Sequence, residues 1–437
     1  MVPFDEAPVC ALHWRLAVAS TAGVFADGYG LGIIGIALSI AAPQLQLDPF
    51  WIGLIGGASL AGLFAGALLI GPICDQFGRR PIFARNMVLA GALSLLQFLA
   101  HSGAQLLVMR LLIGFLLGTD YVVSKALLTE LSPRRLRGRM LATLSMAWAG
   151  GYACAYAVGF VLTSNGPEAW RWMLLTSAAP CLLIAPLRVM MPESPLWLVN
   201  RGHADRARQI VQQWLGPDVA PPAVTPVAAR RRGRWRQLLS KRWRLRTVVA
   251  CVFFTCQVIP YFAVGTFVPQ LMSALRLQGG YLGGLIYNAS LLLGAVAGLL
   301  IVDRIPRRIF LIGSFTAAAS AMLLLSAWSD LPSVPMIALF AVFAGVLSAA
   351  SNLVYVYLPE LFPTDLRASG LGLAIAASRI GSAISTFLLP IIVAGYGVRT
   401  ALSACVVVLA FGALVCRQWA PETRFLGLSA LDEENAA

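Results

Sequence analysis

Apolar residues run along this chain in long stretches broken by short polar ones, and twelve of the stretches are long enough to cross a bilayer. They centre on 16–42, 51–74, 81–100, 104–131, 138–163, 170–191, 246–275, 281–302, 309–328, 335–361, 368–395 and 398–420. A hydrocarbon core about 30 Å thick asks for roughly 20 apolar residues per helix. None shows the dyad alternation of a membrane barrel strand, so each predicts a helix that closes its own backbone hydrogen bonds in lipid. The first stretch is too long, and lacks the small-residue cleavage pattern, to be a removable signal peptide, and predicts a permanent span.

Composition agrees with an all-α membrane protein. Of the 437 residues 59% are hydrophobic and the mean hydropathy is +0.78, beyond the ~45–50% apolar usage of soluble domains. The net charge of +14 would suit a nucleic-acid partner, but its placement argues against one. Of 33 Lys and Arg, 25 fall in one set of connections, three (Arg171, Arg276 and Arg399) in the opposite set and five within spans. This positive-inside asymmetry predicts cytoplasmic termini and a cytoplasmic 192–245 connection. The basic stretch "ARRRGRWRQLLSKRWRLR" at 229–246 reads as an anchor to anionic lipid. The eight cysteines are scattered, with no C-x-x-C and no nearby histidine cluster, so they predict small packing residues rather than a zinc site or a disulfide frame.

The charged residues are not scattered. "GPICDQFGRRP" (71–81) returns as "VDRIPRRI" (302–309) 228 residues later, "TELSPRRLRG" (129–138) as "PELFPTDLRAS" (359–369) 230 later, and "PES" (192–194) as "PET" (421–423) 229 later. Three phrases at nearly one offset mark an internal repeat. Both copies of each phrase lie on the basic side, so an even number of spans separates them. The chain therefore predicts two pseudo-symmetric six-helix halves of parallel topology, 1–191 and 246–437, joined by a polar linker over 192–245.

These residues carry a family resemblance. "G-x-x-x-D-x-x-G-R-R" (Gly71, Asp75, Gly78, Arg79, Arg80), "R-x-x-x-G" opening the fourth span (Arg110, Gly114), "PESPLWL" at 192–198 and "PET" after the twelfth span resemble the major facilitator superfamily over nearly the whole chain. "VYVYLPELFPTDLRASGLG" and "ASRIGS" are similar to bacterial metabolite:proton symporters and their sugar-porter and organic-ion relatives. "DGYG" (27–30) and "GTDY" (118–121) resemble the aspartate-bearing spans of phosphate and aromatic-acid proton symporters. The resemblance implies the major facilitator fold, a bacterial inner membrane, and alternating access, in which two halves rock about a central site near the bilayer midplane. There are departures. Gly30 stands where many such relatives carry a second acid, the seventh span "FFTCQVIPYF" offers only Gln257, and "PETR" does not continue into the sugar-porter "KG". Sugar and phosphate are demoted accordingly.

Within this frame the repeated phrases read as cytoplasmic gates. Asp75, Arg79, Arg80, Glu130, Arg137 and Glu193 in one half, and Asp303, Arg307, Arg308, Glu360, Arg367 and Glu422 in the other, can pair and cap helix ends. Arg110, toward the outer end of the fourth span, is grouped with them as a structural residue or a tuner of the proton site. Deep ionisable groups are expensive in lipid and mark function. Asp27 and Asp120 project near mid-membrane depth and are the candidate proton carriers. Arg379 sits too deep to snorkel, and its guanidinium fork suits a carboxylate; Lys125 is the second candidate cation. Tyr29, Tyr121, Gln257, Tyr261, Asn288, Asn352 and Tyr355 are candidate lining residues.

The expectation is a monomeric, proton-coupled importer of a small organic metabolite, a carboxylate, with protons, substrate and the bilayer as partners and no cofactor or metal. The alternatives are proton-coupled efflux of drugs or metabolites, sugar or polyol uptake, and a non-transporting sensor. An enzyme is not indicated, since no nucleophile, base and metal constellation is written in the chain.

Overall fold

A computed structural model describes residues 2–222, 237–275, 280–302, 304–328, 332–362 and 364–423. Its helices, in order, are α1 (Ala11–Gln44), α2 (Pro49–Phe77), α3 (Arg80–Leu96), α4 (Gly103–Leu131), α5 (Arg134–Leu162), α6 (Ala169–Thr176), α7 (Ala178–Val189), α8 (Pro195–Asn200), α9 (Ala204–Trp214), α10 (Arg244–Thr266), α11 (Val268–Ala274), α12 (Gly280–Ile301), α13 (Arg307–Ala327), α14 (Ser333–Ala350), α15 (Leu353–Glu360), α16 (Thr364–Tyr396) and α17 (Val398–Trp419). Among the described residues twelve helical stretches are long and apolar enough to cross a membrane, and they coincide with the twelve runs in the sequence. The all-α expectation holds because helices satisfy every backbone group within the segment.

Three of the runs, predicted as single spans, are broken. α6 passes to α7 at Ser177, whose hydroxyl bonds the Leu174 carbonyl. α10 gives way at Phe267, ahead of Pro269, which has no N–H to continue the ladder. α14 ends at Ser351, whose hydroxyl bonds the Ser348 carbonyl, and Asn352 beside it bonds the Ala349 carbonyl. Side chains that compete for backbone groups in this way interrupt helices without leaving carbonyls orphaned.

Packing divides the chain into two compact units. The first holds Met1–Leu31, Gly62–Tyr152 and Arg171–Arg231, the second Gly32–Ala61, Ala153–Trp170 and Arg232–Ala437. In the first, α1 and α5 meet backbone to backbone: a Cβ at Gly28 would lie 2.1 Å from the Trp148 carbonyl oxygen, and one at Gly151 2.0 Å from that of Phe25. Small residues at such crossings are how membrane helices approach closely. The linker helices belong to this unit. Ser194 caps α8 by accepting from the Trp197 N–H, α9 buries Ala207 and Val211, and Val2 pairs with Val219 in an isolated parallel bridge.

In the second unit, the later part of α1, the first part of α2 and the end of α5 pack with the C-terminal helices. A Cβ at Gly35 would lie 1.8 Å from the Thr266 carbonyl oxygen, one at Gly53 2.1 Å from that of Phe387, and one at Gly284 1.8 Å from the Tyr156 hydroxyl.

Candidate functional site

α1, α4 and α7 bring three ionisable groups together inside the first unit. Arg188, near the end of α7, donates from Nη1 to Asp120 Oδ1 and from Nη2 to Asp120 Oδ2, the latter at 3.0 Å. Its Nη2 also reaches the Ser124 hydroxyl at 3.3 Å and its Nε the Ala19 carbonyl at 3.2 Å. The guanidinium lies over the Phe83 ring, 4.2 Å from its centroid. Ser124, one turn along α4 from Asp120, donates to Oδ2 at 3.0 Å. Asp120, Ser124 and Arg188 are all fully buried. Ions removed from water cost several kcal/mol each, and such a pair is sustained where further hydrogen bonds satisfy it, as here.

Gly23 is what lets this pair lie against α1. A Cβ there would stand 1.5 Å from Arg188 Nη2 and 3.0 Å from Asp120 Oδ2. Asp27 follows four residues later, on the same face of the helix. It is 3% exposed, and neither carboxyl oxygen has a hydrogen-bond partner among the described residues. Asp120, Arg188 and Lys125 are within electrostatic reach of it. The two acids that the sequence offers as equals therefore occupy different environments: Asp120 is gripped by a guanidinium and Asp27 is not.

The neighbouring candidates are tied more locally. Lys125 places Nζ 3.4 Å from the centroid of the Tyr121 ring. Tyr29 donates to the Thr176 hydroxyl at 2.8 Å, joining α1 to α6. Arg110, fully buried, donates from Nη1 to the Gly30 carbonyl at 2.8 Å, at the residue where the "DGYG" motif lacks its second acid.

In the second unit Arg379, on α16 and 8% exposed, has its guanidinium 6.0 Å from the Phe254 ring centroid and 5.8 Å from that of Phe262, both on α10. Tyr261 is buried and meets Phe262 edge-on. Gln257 donates to the Leu347 carbonyl at 3.1 Å and Asn288 to the Gly284 carbonyl at 2.8 Å. Each leaves an acceptor oxygen without a donor among the described residues. Asn352 spends its amide on the Ala295 and Ala349 carbonyls, a tie between α12 and the α14–α15 break, and Tyr355 is 40% exposed.

The repeated phrases form two matching clusters, one in each unit. Gly78, at φ +95°, turns α2 into α3, and a Cβ there would collide with Glu193 Oε2. Glu193 accepts from the backbone N–H groups of Arg79 (3.0 Å) and Arg80 (3.2 Å) and from that of Ser194 (2.9 Å). Arg79 turns its side chain to Asp75 at 3.0 Å and Glu130 at 3.3 Å. In the second cluster Glu422 accepts from the backbone N–H groups of Arg307 (3.0 Å) and Arg308 (2.9 Å). Arg307 reaches Glu360 at 3.6 Å, and Thr423 donates to the same carboxylate at 2.5 Å. Each glutamate caps the first turn of a helix, where free N–H groups and the macrodipole favour an anion. Arg137 donates to the Ser132 carbonyl. Asp303 and the Arg367 side chain lie outside the described residues, as do residues 229–236 of the basic stretch at 229–246.

Sequence reasoning missed Arg188, Phe254 and Phe262 as site residues. Arg188 lies close to the basic end of its span, where an arginine reads as snorkelling, and its acid is 68 residues upstream on another helix. The two phenylalanines, eight residues apart, share a helix face, but an aromatic stripe in a span reads as packing until a cation is placed beside it.

Comparison with known proteins supplies the family. The family model described as "Sugar (and other) transporter" matches residues 16–434. The chain is 40% identical over 429 residues to the inner membrane metabolite transport protein YgcS of Escherichia coli, covering 98% of this chain and 96% of that one. It is 27% identical over 384 residues to the niacin transporter NiaP of Acinetobacter baylyi, covering 86% of each. Among solved structures, the partially occluded, inward-open xylose transporter XylE of E. coli superposes with a TM-score of 0.80 at 19% identity, over 96% of this chain and 100% of that one. Twelve spans, paired motif clusters and a family match over nearly its whole length make this chain a member of the sugar (and other) transporter family, a transporter of the major facilitator superfamily rather than an enzyme.

Proposed function

We propose that this transporter imports a small aromatic carboxylate together with a proton, by alternating access. The observation that carries the reading is Arg379, a buried mid-helix guanidinium beside the rings of Phe254 and Phe262. A guanidinium binds a carboxylate through two parallel hydrogen bonds, and the flanking rings suit a flat apolar body. The niacin specificity in the name of one relative is of the same chemical kind, since niacin is a ring bearing one carboxylate. Gln257, Tyr261 and Asn288 supply polar groups on the same unit.

Asp27 carries the proton in this proposal. It is a deep acid with no hydrogen-bonded partner among the described residues, whereas Asp120 has a counter-ion already. The positive-inside asymmetry supports cytoplasmic termini and an inner-membrane location. The offset repeats support two six-helix halves, 1–191 and 246–437, with 192–245 as linker, in a monomer. The Glu193 and Glu422 clusters on the basic side are the gates that re-form in each cycle.

The test is uptake by proteoliposomes of nicotinate, benzoate, an aliphatic acid and xylose, with and without an imposed pH gradient, acidic outside. Accumulation of the aromatic acids only when the gradient is present supports the proposal. Accumulation of xylose in their place, or extrusion of the acids, overturns it.

A further inference from the structure

Arg188 is placed to serve both acids of the first unit. Its Nη2 occupies the space where a side chain at residue 23 would begin. Asp27 is one turn further along α1, so its Cβ stands about 5–6 Å from that point. The gap is within the swing of one arginine rotamer. Among the described residues, the groups in electrostatic reach of Asp27 are Asp120 and Lys125 on α4 and Arg188 and Cys181 on α7. α5 meets α1 here through the backbone at Trp148 and through Gly151. Lys125 is held over the Tyr121 ring.

Charge counting gives the consequence. With Asp27 protonated, the trio of Asp27, Asp120 and Arg188 is neutral. With Asp27 ionised, two carboxylates share one guanidinium in an interior where an unmatched charge is costly. We infer that Arg188 is a shared counter-ion: it holds Asp120 while Asp27 carries the proton, and swings along the Gly23 groove toward Asp27 when that proton passes to water. Proton release thereby loosens α7 from α4 and draws it to α1, which makes Arg188 a positioning residue for the coupling step. The inference rests on Asp27 being the proton carrier.

Infrared difference spectroscopy of the full-length protein in nanodiscs, titrated over pH, reads the carbonyl stretch of protonated carboxyl side chains and needs no substrate. D27N must remove a titrating band; if no band is lost, the proton assignment itself fails. With the band assigned, D120N leaves Arg188 to Asp27 alone, and the midpoint should fall by about one pH unit or more, a tenfold change in proton affinity. The D120N/R188Q pair removes both partners and keeps the region neutral, and the midpoint should rise above that of the unsubstituted protein by about as much. A purely structural ion pair would not move the midpoint in opposite directions. If the midpoint of the double variant stays at the unsubstituted value, or both proteins shift the same way, the sharing of Arg188 is overturned while the proton assignment stands.

Discussion

Arg188 holds Asp120 by both carboxylate oxygens, while Asp27, one turn from the glycine that admits that guanidinium, is held by no hydrogen bond among the described residues. An acid so placed releases a proton without first giving up a hydrogen-bond partner. Asp27→Asn is therefore expected to abolish gradient-driven accumulation of nicotinate while counterflow persists, because an amide keeps the shape and cannot cycle a proton. Proteoliposome uptake with and without a gradient measures it. Accumulation at the unsubstituted rate would remove Asp27 from the coupling step.

Arg379→Lys tests the anion site. A lysine keeps the charge and loses the fork, so affinity for benzoate should weaken about tenfold, on the order of 1.4 kcal/mol, while the neutral benzamide binds both proteins alike. Equal benzoate affinity in detergent would leave Arg379 a structural residue.

The spans were legible because a bilayer imposes a length and a composition on each helix by itself, and runs such as 281–302 and 398–420 answer to that local rule. The paired charged clusters were legible because the chain writes them twice. Glu193 and Glu422 were picked out as matched acids, and they sit on matched backbone groups. The Asp120–Arg188 pair was not legible. Nothing near either residue in sequence names the other, and depth alone puts Arg188 in the snorkelling class. Phe254 and Phe262 gain meaning only from the packing of α10 on α16, and the breaks at Ser177, Phe267 and Ser351 were hidden inside runs of unbroken hydropathy.

Glu193→Ala and Glu422→Ala should each destabilise the protein by about 1–2 kcal/mol, the scale of a lost helix cap. Each leaves two first-turn N–H groups without their acceptor. Denaturant or thermal unfolding in matched detergent reads the loss. Stability equal to that of the unsubstituted protein in both variants would show that water caps these helices as well as the carboxylates do.

Gly28→Ala should be poorly tolerated and Gly71→Ala well tolerated, although both glycines lie inside helices. At residue 28 the new methyl would stand 2.1 Å from the Trp148 carbonyl oxygen, which is backbone and cannot rotate away; at residue 71 nothing lies within 4 Å. The first change should cost about 1–3 kcal/mol by overpacking, and the second should stabilise by up to about 1 kcal/mol through reduced backbone entropy. Folded yield after purification by size exclusion ranks the two, and the reverse order would contradict the α1–α5 contact.

Glu193 and Glu422 each accept from two peptide N–H groups at the start of a helix, those of Arg79 and Arg80 and those of Arg307 and Arg308. The Arg80 side chain is exposed, and Arg308 turns its own to the Arg417 carbonyl, so at either joint a different residue at these positions would still present the same donor, and proline alone would withhold it. A latch of this kind is blind to side-chain identity. At each joint these are two peptide hydrogen bonds, and in the proposed cycle they are contacts that water would take over when the neighbouring helices part.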